Sequence, residues 1–143
     1  MLNVRRRGFT LIELLLYVSI VGAIIFSIAG FLSLLMQSRV KNQAIAEVEQ
    51  QGIQAMQVIT QTGRNAADVN FTTAFDLFGG TMRQDAIPLT NSRVVASNLT
   101  FQNLSRTGTP GTVRVQFTLT HINPSGRNEY DFNKTFYGSA SLR

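Results

Sequence analysis

The sequence predicts an α+β fold: a long N-terminal helix, transmembrane in its first half and amphipathic in its second, packed on a small antiparallel β-sheet head. Three observations predict it. Leu14 to Met36 are 23 consecutive positions without a charge. No proline interrupts the chain from Phe9 to Thr62, and Ile45, Val48, Gly52, Met56 and Ile59 recur at spacings of three and four, the period of one helix face. Farther on, Thr112 to His121 reads TVRVQFTLTH, the strict alternation of a half-buried strand.

Charge divides the chain before any motif is read. The formal net charge is +5, but Arg5, Arg6 and Arg7 stand together near the start, and without residues 1–8 ten basic groups face eight acidic ones. There is no cysteine, which excludes disulfides, thiolate nucleophiles and Cys-ligated metals. The expected segments are a basic leader over 1–8, a transmembrane helical half over 9–36, an amphipathic helical half over 37–62 and a globular head over 63–143.

A helix over the uncharged run rises about 34 Å at ~1.5 Å per residue, enough to cross a hydrocarbon core of about 30 Å. The arginines ahead of it favour a cytoplasmic N-terminus and an exported remainder, a bias that Arg39 and Lys41 reduce. Glu13 needs its own reason, because a carboxylate deep in hydrocarbon costs about 2.5–3.5 kcal/mol on insertion scales. Near the helix end it can snorkel to the headgroups; otherwise a cation has to reach it. Two ordinary export signals fit parts of this segment. Ser27 and Ala29 ahead of Gly30 form a small-residue cleavage site, although the run exceeds the roughly 7–15 residues of a secretory h-region. Arg6, Arg7 and Phe9 match a short piece of a twin-arginine signal.

Gly8-Phe9-Thr10-Leu11-Ile12-Glu13-Leu14, with a short basic leader before it and a long apolar helix after it, resembles the prepilin-type cleavage and methylation motif of type IV pilins and type II secretion pseudopilins. The resemblance covers residues 5 to 36 only. It implies a structural, non-enzymatic subunit without a cofactor. Prepilin peptidase would cleave between Gly8 and Phe9 and methylate the new N-terminus at Phe9. The product would join other pilin or pseudopilin subunits at the inner-membrane assembly platform. For Glu13 the resemblance implies a register role in the filament, opposite the Phe9 amine of a neighbouring subunit, a group whose reference pKa of about 7.7–8.0 leaves it largely cationic near neutral pH. The implied location is the bacterial inner membrane, single-pass, with the N-terminus cytoplasmic and the head extracytoplasmic, and then the pilus or pseudopilus. Many major pilins have a proline where Gly30 stands, many staple the C-terminal region with a disulfide, and some major pseudopilins use a calcium loop there. None of these is readable here, so a minor subunit is expected.

Within the helix, Ser19, Ala23, Ser27 and Gly30 follow at spacings of four, four and three, a face of small residues that permits close helix approach. Gly63 is expected to end the helix after Thr62. An isolated coiled coil competes for the stripe from Ile45 to Ile59, but the pattern lasts only about two heptads.

In the head, strands are expected near 94–104, 112–121 and 128–137. The first has Val95, Ser97, Leu99 and Phe101 in phase; the last has Tyr130, Phe132 and Phe136 in phase, with Lys134 breaking the pattern and Asn123-Pro124-Ser125-Gly126 as the preceding turn. Residues 64–93 read as a packed connection of short helix or strand carrying Phe71, Phe75, Leu77 and Phe78 and ending at Gly79-Gly80. His121, the single histidine, reads as structural or solvent-facing, and Glu129 and Asp131 on one strand face make a poor calcium site; no metal site is expected. The N-x-[ST] triplets at Asn70, Asn98, Asn103 and Asn133 receive no function. Residues 64–143 carry a net +3, yet the arginines are scattered without a recognised binding fold. Membrane lipid is therefore an expected partner and nucleic acid is not. Two other readings stay open, a single-pass signal-anchored extracytoplasmic binding protein and a DNA-binding minor pilin.

Overall fold

A computed structural model describes residues 9–67, 69–106 and 111–142, without the side chains of Val69 and Phe71. The expected leader over 1–8, including Gly8 of the cleavage site, and the Phe71 side chain lie outside the described residues. The chain forms two compact units, Met1–Ser38 and Arg39–Arg143.

The first unit holds Phe9, Thr10 and the apolar start of helix α1 (Leu11–Asn65). Every residue from Phe9 to Arg39 is exposed. The second unit holds the rest of α1 and the head, built as two antiparallel sheets of three strands each. The expected α+β architecture, a helix packed on antiparallel sheet, is therefore what the chain adopts.

The packed face of α1 is Ala44, Val48, Gly52, Ala55, Ile59 and Gly63. This differs by one position in two places from the expected stripe, since Ala44 and Ala55 are buried where Ile45 and Met56 were expected. Close approach selects the small side chain, and the large neighbours pack from the flanks. A Cβ on Gly52 would run into the Phe136 ring, and one on Gly138 would meet the Met56 thioether. The helix also ends later than expected. Gly63 is helical and buried, and the Ala66 N–H closes the last turn on the Gly63 carbonyl at 3.2 Å.

A 3₁₀ turn over Val69–Ala74 leads into the first sheet, β1 (Phe75–Phe78), β2 (Thr81–Gln84) and β3 (Ile87–Pro88). Gly79 and Gly80, at φ +58° and +79°, make the two-residue β1–β2 turn, the left-handed pair that such hairpins require. Asp85 and Ala86 occupy the same region at the next turn, at φ 50° and 68°. On one face of this hairpin Arg83 lies opposite Asp76. Its Nε donates to Asp76 Oδ1 at 3.0 Å, its second nitrogen donates to Oδ2, and its guanidinium covers the Phe78 ring at 4.3 Å. Hydrogen bonding from Arg83, aided by its charge, holds the Asp76 carboxyl below the ordinary carboxylate range, and the same bond raises Arg83.

The second sheet has the order β4 (Val94–Asn103), β5 (Thr112–His121), β6 (Asn133–Ser141). Its centre is β5, from which Val113, Val115, Phe117 and Leu119 are buried. In β4 the expected phase of Val95, Ser97, Leu99 and Phe101 breaks at a bulge between Ser97 and Thr100. Asn98 sits there at φ 55°, a conformation asparagine tolerates. Val94 and Ala96 face inward before the bulge, Leu99 and Phe101 after it.

β6 starts later than the expected 128–137. Asn123 brackets the turn by accepting from the Arg127 N–H at 3.0 Å and donating to the Arg127 carbonyl at 2.8 Å. Residues Asn128–Tyr130 then form a 3₁₀ turn in which Tyr130 stacks on His121 with ring centroids 5.7 Å apart. Glu129 and Asp131 consequently share no strand face. Glu129 pairs with Arg127 at 3.0 Å, and its own backbone N–H, then Arg127, lowers its carboxyl. Lys134 lies on the same side of β6 as Phe136 and reaches Glu49 of the helix at 2.7 Å.

The sheets join where the Ala96 N–H donates to the Gly80 carbonyl at 2.6 Å and where Phe75 meets Phe101. Val48, Ala55 and Ile59 from the helix, Phe75 and Met82 from the first sheet, and Val94, Ala96, Val115, Phe117 and Leu119 from the second share one core. Buried Thr90 accepts from the Met82 N–H at 3.1 Å. A polar joint closes one end. Glu47 accepts from Asn91 Nδ2 at 2.9 Å, and its other oxygen lies 3.6 Å from both Arg93 and His121 Nε2.

Gly52→Ala is expected to destabilise the head by about 1–3 kcal/mol, the usual cost of overpacking a filled contact, whereas Gly22→Ala, whose Cβ meets nothing within 4 Å, leaves it unchanged. Urea unfolding of the full chain in detergent, followed by tyrosine near-ultraviolet circular dichroism, measures both. Because the Asp76 carboxyl is depressed in the folded state, its contribution is present at neutral pH and disappears as the pH falls through the folded value. The same urea midpoint should drop on acidification less steeply in Asp76→Asn than in the wild type.

Candidate processing and assembly site

The helix start is written in four residues. Thr10 precedes the first helical residue and Glu13 stands three positions later, the spacing of a capping box. The Glu13 N–H donates to the Thr10 carbonyl at 3.1 Å and lies 3.4 Å from the Thr10 hydroxyl, and the Leu14 N–H donates to the Thr10 carbonyl at 3.2 Å. Thr10 thus supplies acceptors to N–H groups that a helix end leaves open. The Glu13 carboxylate, in the first turn, faces the positive end of the helix dipole, worth about 0.3–1 kcal/mol. This local role was legible in the T-x-x-E spacing and stands beside the register role that the resemblance implies. Among the described residues no cation lies within ion-pair distance of Glu13.

Phe9 stays outside the helix, 74 % exposed, with its ring edge against Tyr17 at 6.0 Å. The residue on the product side of the expected cleavage is therefore non-helical and exposed.

Ser19, Ala23, Ser27 and Gly30 all lie on the exposed part of α1. Ser19 Oγ donates to the Leu15 carbonyl and Ser27 Oγ to the Ala23 carbonyl, each at 2.9 Å. Both hydroxyls are satisfied within the helix, so the face can meet lipid or another helix without an unpaired donor. A Cβ at Gly22 or Gly30 would meet nothing within 4 Å. Gly22 was not singled out by spacing; with Tyr17, Val18, Val21 and Ile25 it lines an apolar groove on another side of the helix.

α1 is long and apolar enough to cross a membrane. Among the described residues no three His, Asp or Glu side chains come together as metal ligands. Residues 3–31 match the family model of the prokaryotic N-terminal methylation motif. The match covers 29 of the 143 residues and supports a pilin- or pseudopilin-type precursor of the kind that prepilin peptidase processes. A methylation motif at the front of a long apolar helix is consistent with a membrane-anchored pilin-type subunit. No curated protein and no solved structure matches the chain.

Thr10→Ala is expected to cost the first helical turn about 0.5–2 kcal/mol, while Thr10→Ser retains it. Faster amide exchange at Glu13 and Leu14 in the alanine variant alone, measured by NMR in micelles, checks the cap.

Proposed function

We propose that the chain is a minor pilin or pseudopilin: a prepilin cut after Gly8, methylated at Phe9, and assembled through its N-terminal helix into a type IV pilus or type II secretion pseudopilus. One observation carries the reading. The methylation motif over residues 3–31 runs into a helix whose apolar surface is uncovered along its whole first unit. Such a surface needs a bilayer before assembly and other apolar helices after it.

The lack of cysteine, where many major pilins carry a C-terminal disulfide, supports the minor role. Removal of residues 1–8 takes three arginines from the segment and creates an amine at Phe9. Glu13, one helical turn on, is the complementary charge for the amine of an adjacent subunit. Ser19, Ala23, Ser27 and Gly30 form the face along which a neighbour approaches. Before assembly the precursor spans the inner membrane once, N-terminus in the cytoplasm and head outside.

The test is the mature N-terminus and its incorporation. Mass spectrometry of the protein from membranes is expected to show a chain beginning at N-methyl-Phe9; an intact Met1 would indicate a signal anchor, and a start at Gly30 ordinary secretion. Glu13→Ala is expected to be processed normally but to enter filaments about tenfold less or worse, the factor carried by ~1.4 kcal/mol of lost pairing. Unchanged incorporation would remove the register role while leaving the processing result standing.

A further inference from the structure

Inside Arg39–Arg143 the helix carries a second row of residues, on its exposed side. Gln43, Ala46, Gln50, Ile53, Gln57 and Thr60 recur at alternating spacings of three and four, the a and d positions of a heptad seam. None belongs to the packed face. All but the half-buried Thr60 are exposed, and Ile53, at the middle of the row, is 54 % exposed although large and apolar. From Gln50 to Gly63 the helix has no charged residue, whereas an ordinary solvated face is rich in them. Arg64, the next a position, ends the row. The surface is also shaped for a partner helix. Ala46, Glu49, Gln50 and Ile53 line one shallow depression, and Gln57, Thr60, Gln61 and Arg64 line another. Each quartet is the set of four helix residues that receives one knob from a facing helix.

We infer that this row is the seam of a parallel two-stranded coiled coil formed with a second copy of the chain. The occupant follows from the amides. Thr60 Oγ1 donates to the Met56 carbonyl at 2.8 Å, but the side chains of Gln43, Gln50 and Gln57 have no hydrogen-bond partner among the described residues. An amide both donates and accepts, so it is complementary to its own counterpart, which no charged side chain is. Parallel pairing in register sets each glutamine against the same glutamine and Ile53 against Ile53. Antiparallel pairing would instead bury these amides against Ala46, Ile53 and Thr60 and leave them unsatisfied, at a cost. The flanks agree, since the g-to-e′ contacts would be Asn42 with Glu47, Glu49 with Gln54 and Met56 with Gln61, and no like charges meet. Polar a positions weaken such a seam while fixing its register. The inference uses only this unit and rests on neither processing nor a bilayer.

The chain has no cysteine, so a single introduced thiol reports its own partner. The full chain in detergent, mildly oxidised and read on non-reducing gels, is expected to give disulfide-linked dimer from Gln50→Cys or Gln57→Cys. The yield should be about tenfold that of Ser139→Cys, an exposed position on β6, because pairing raises the effective thiol concentration. With Gln50→Cys as the reporter, Gln57→Lys and Gln57→Glu should each lower the yield about tenfold, since like charges then face each other. An equal mixture of the two should restore it as heterodimer. Circular dichroism checks that each variant keeps its helix. Equal yields at Gln57 and Ser139, charged variants that pair as well as unaltered Gln57, as pairing through the apolar half alone would give, or a mixture that does not recover would each overturn the seam.

Discussion

An aromatic ring resting on helix backbone sets the spacing of the head. Phe136 occupies the volume that a side chain at position 52 would need, and it stacks on Phe117 at 5.4 Å, the residue at the centre of the central strand. The helix, the edge strand β6 and the middle strand β5 are thereby held at one separation. Other features follow from that distance: alanines at 44 and 55 in the contact, Met56 lying over Gly138, and Lys134 placed to reach Glu49 at the rim. Packed interiors approach crystal density, so one added methyl at Gly52 has nowhere to go.

The polar joint around Glu47 does the complementary work. Apolar packing fixes the separation of helix and sheet but restrains sliding only weakly, since it is non-directional. Directional bonds from Asn91 to Glu47 and Gln51, with Arg93 and His121 at the second Glu47 oxygen, fix the axial position of the loop before β4. His121 is 10 % exposed and its Nδ1 has no partner among the described protein atoms. Its position is set by Tyr130 on its face and Glu47 at its tip, which is how a histidine with no motif around it comes to be structural.

Legibility in the sequence tracked the physical kind of signal. Val113, Val115, Phe117 and Leu119 announced β5 because period two and burial coincide there. The β4 phase was hidden by a single inserted residue at Asn98, which turns every later side chain to the other face. The first sheet was hidden by length: strands of four, four and two residues cannot display a period, and the turn at Asp85-Ala86 lacks the glycine that would have marked it. On α1 hydrophobicity pointed to Ile45 and Met56, whereas closeness of approach selected their smaller neighbours. The joint at Glu47 could not be read at all, since its hydrogen-bond partner Asn91 lies 44 residues away. At the candidate site Glu13 stands out as a charge against an apolar background, and the Thr10 cap beside it is carried by the T-x-x-E spacing alone.

The two halves of α1 use the same residue types under opposite conditions, and the contrast bears on what the first half is for. In the head the helix glycine that faces the sheet is filled by an aromatic ring, and the glutamate at the joint has its acceptors engaged by Asn91, Arg93 and His121. In the first unit Gly22 and Gly30 face open space, the serine hydroxyls turn back on their own helix, and Glu13 has no cation among the described residues. A helix face with small residues and satisfied hydroxyls offers no barrier to a neighbour, and an acid in an apolar run carries a cost until a cation meets it. Among the described residues, an uncovered apolar surface, a carboxylate without a counter-charge and Phe9 outside the helix stand together in this unit. Under the proposed processing, a second apolar helix bearing a free amine at its start would answer each of them.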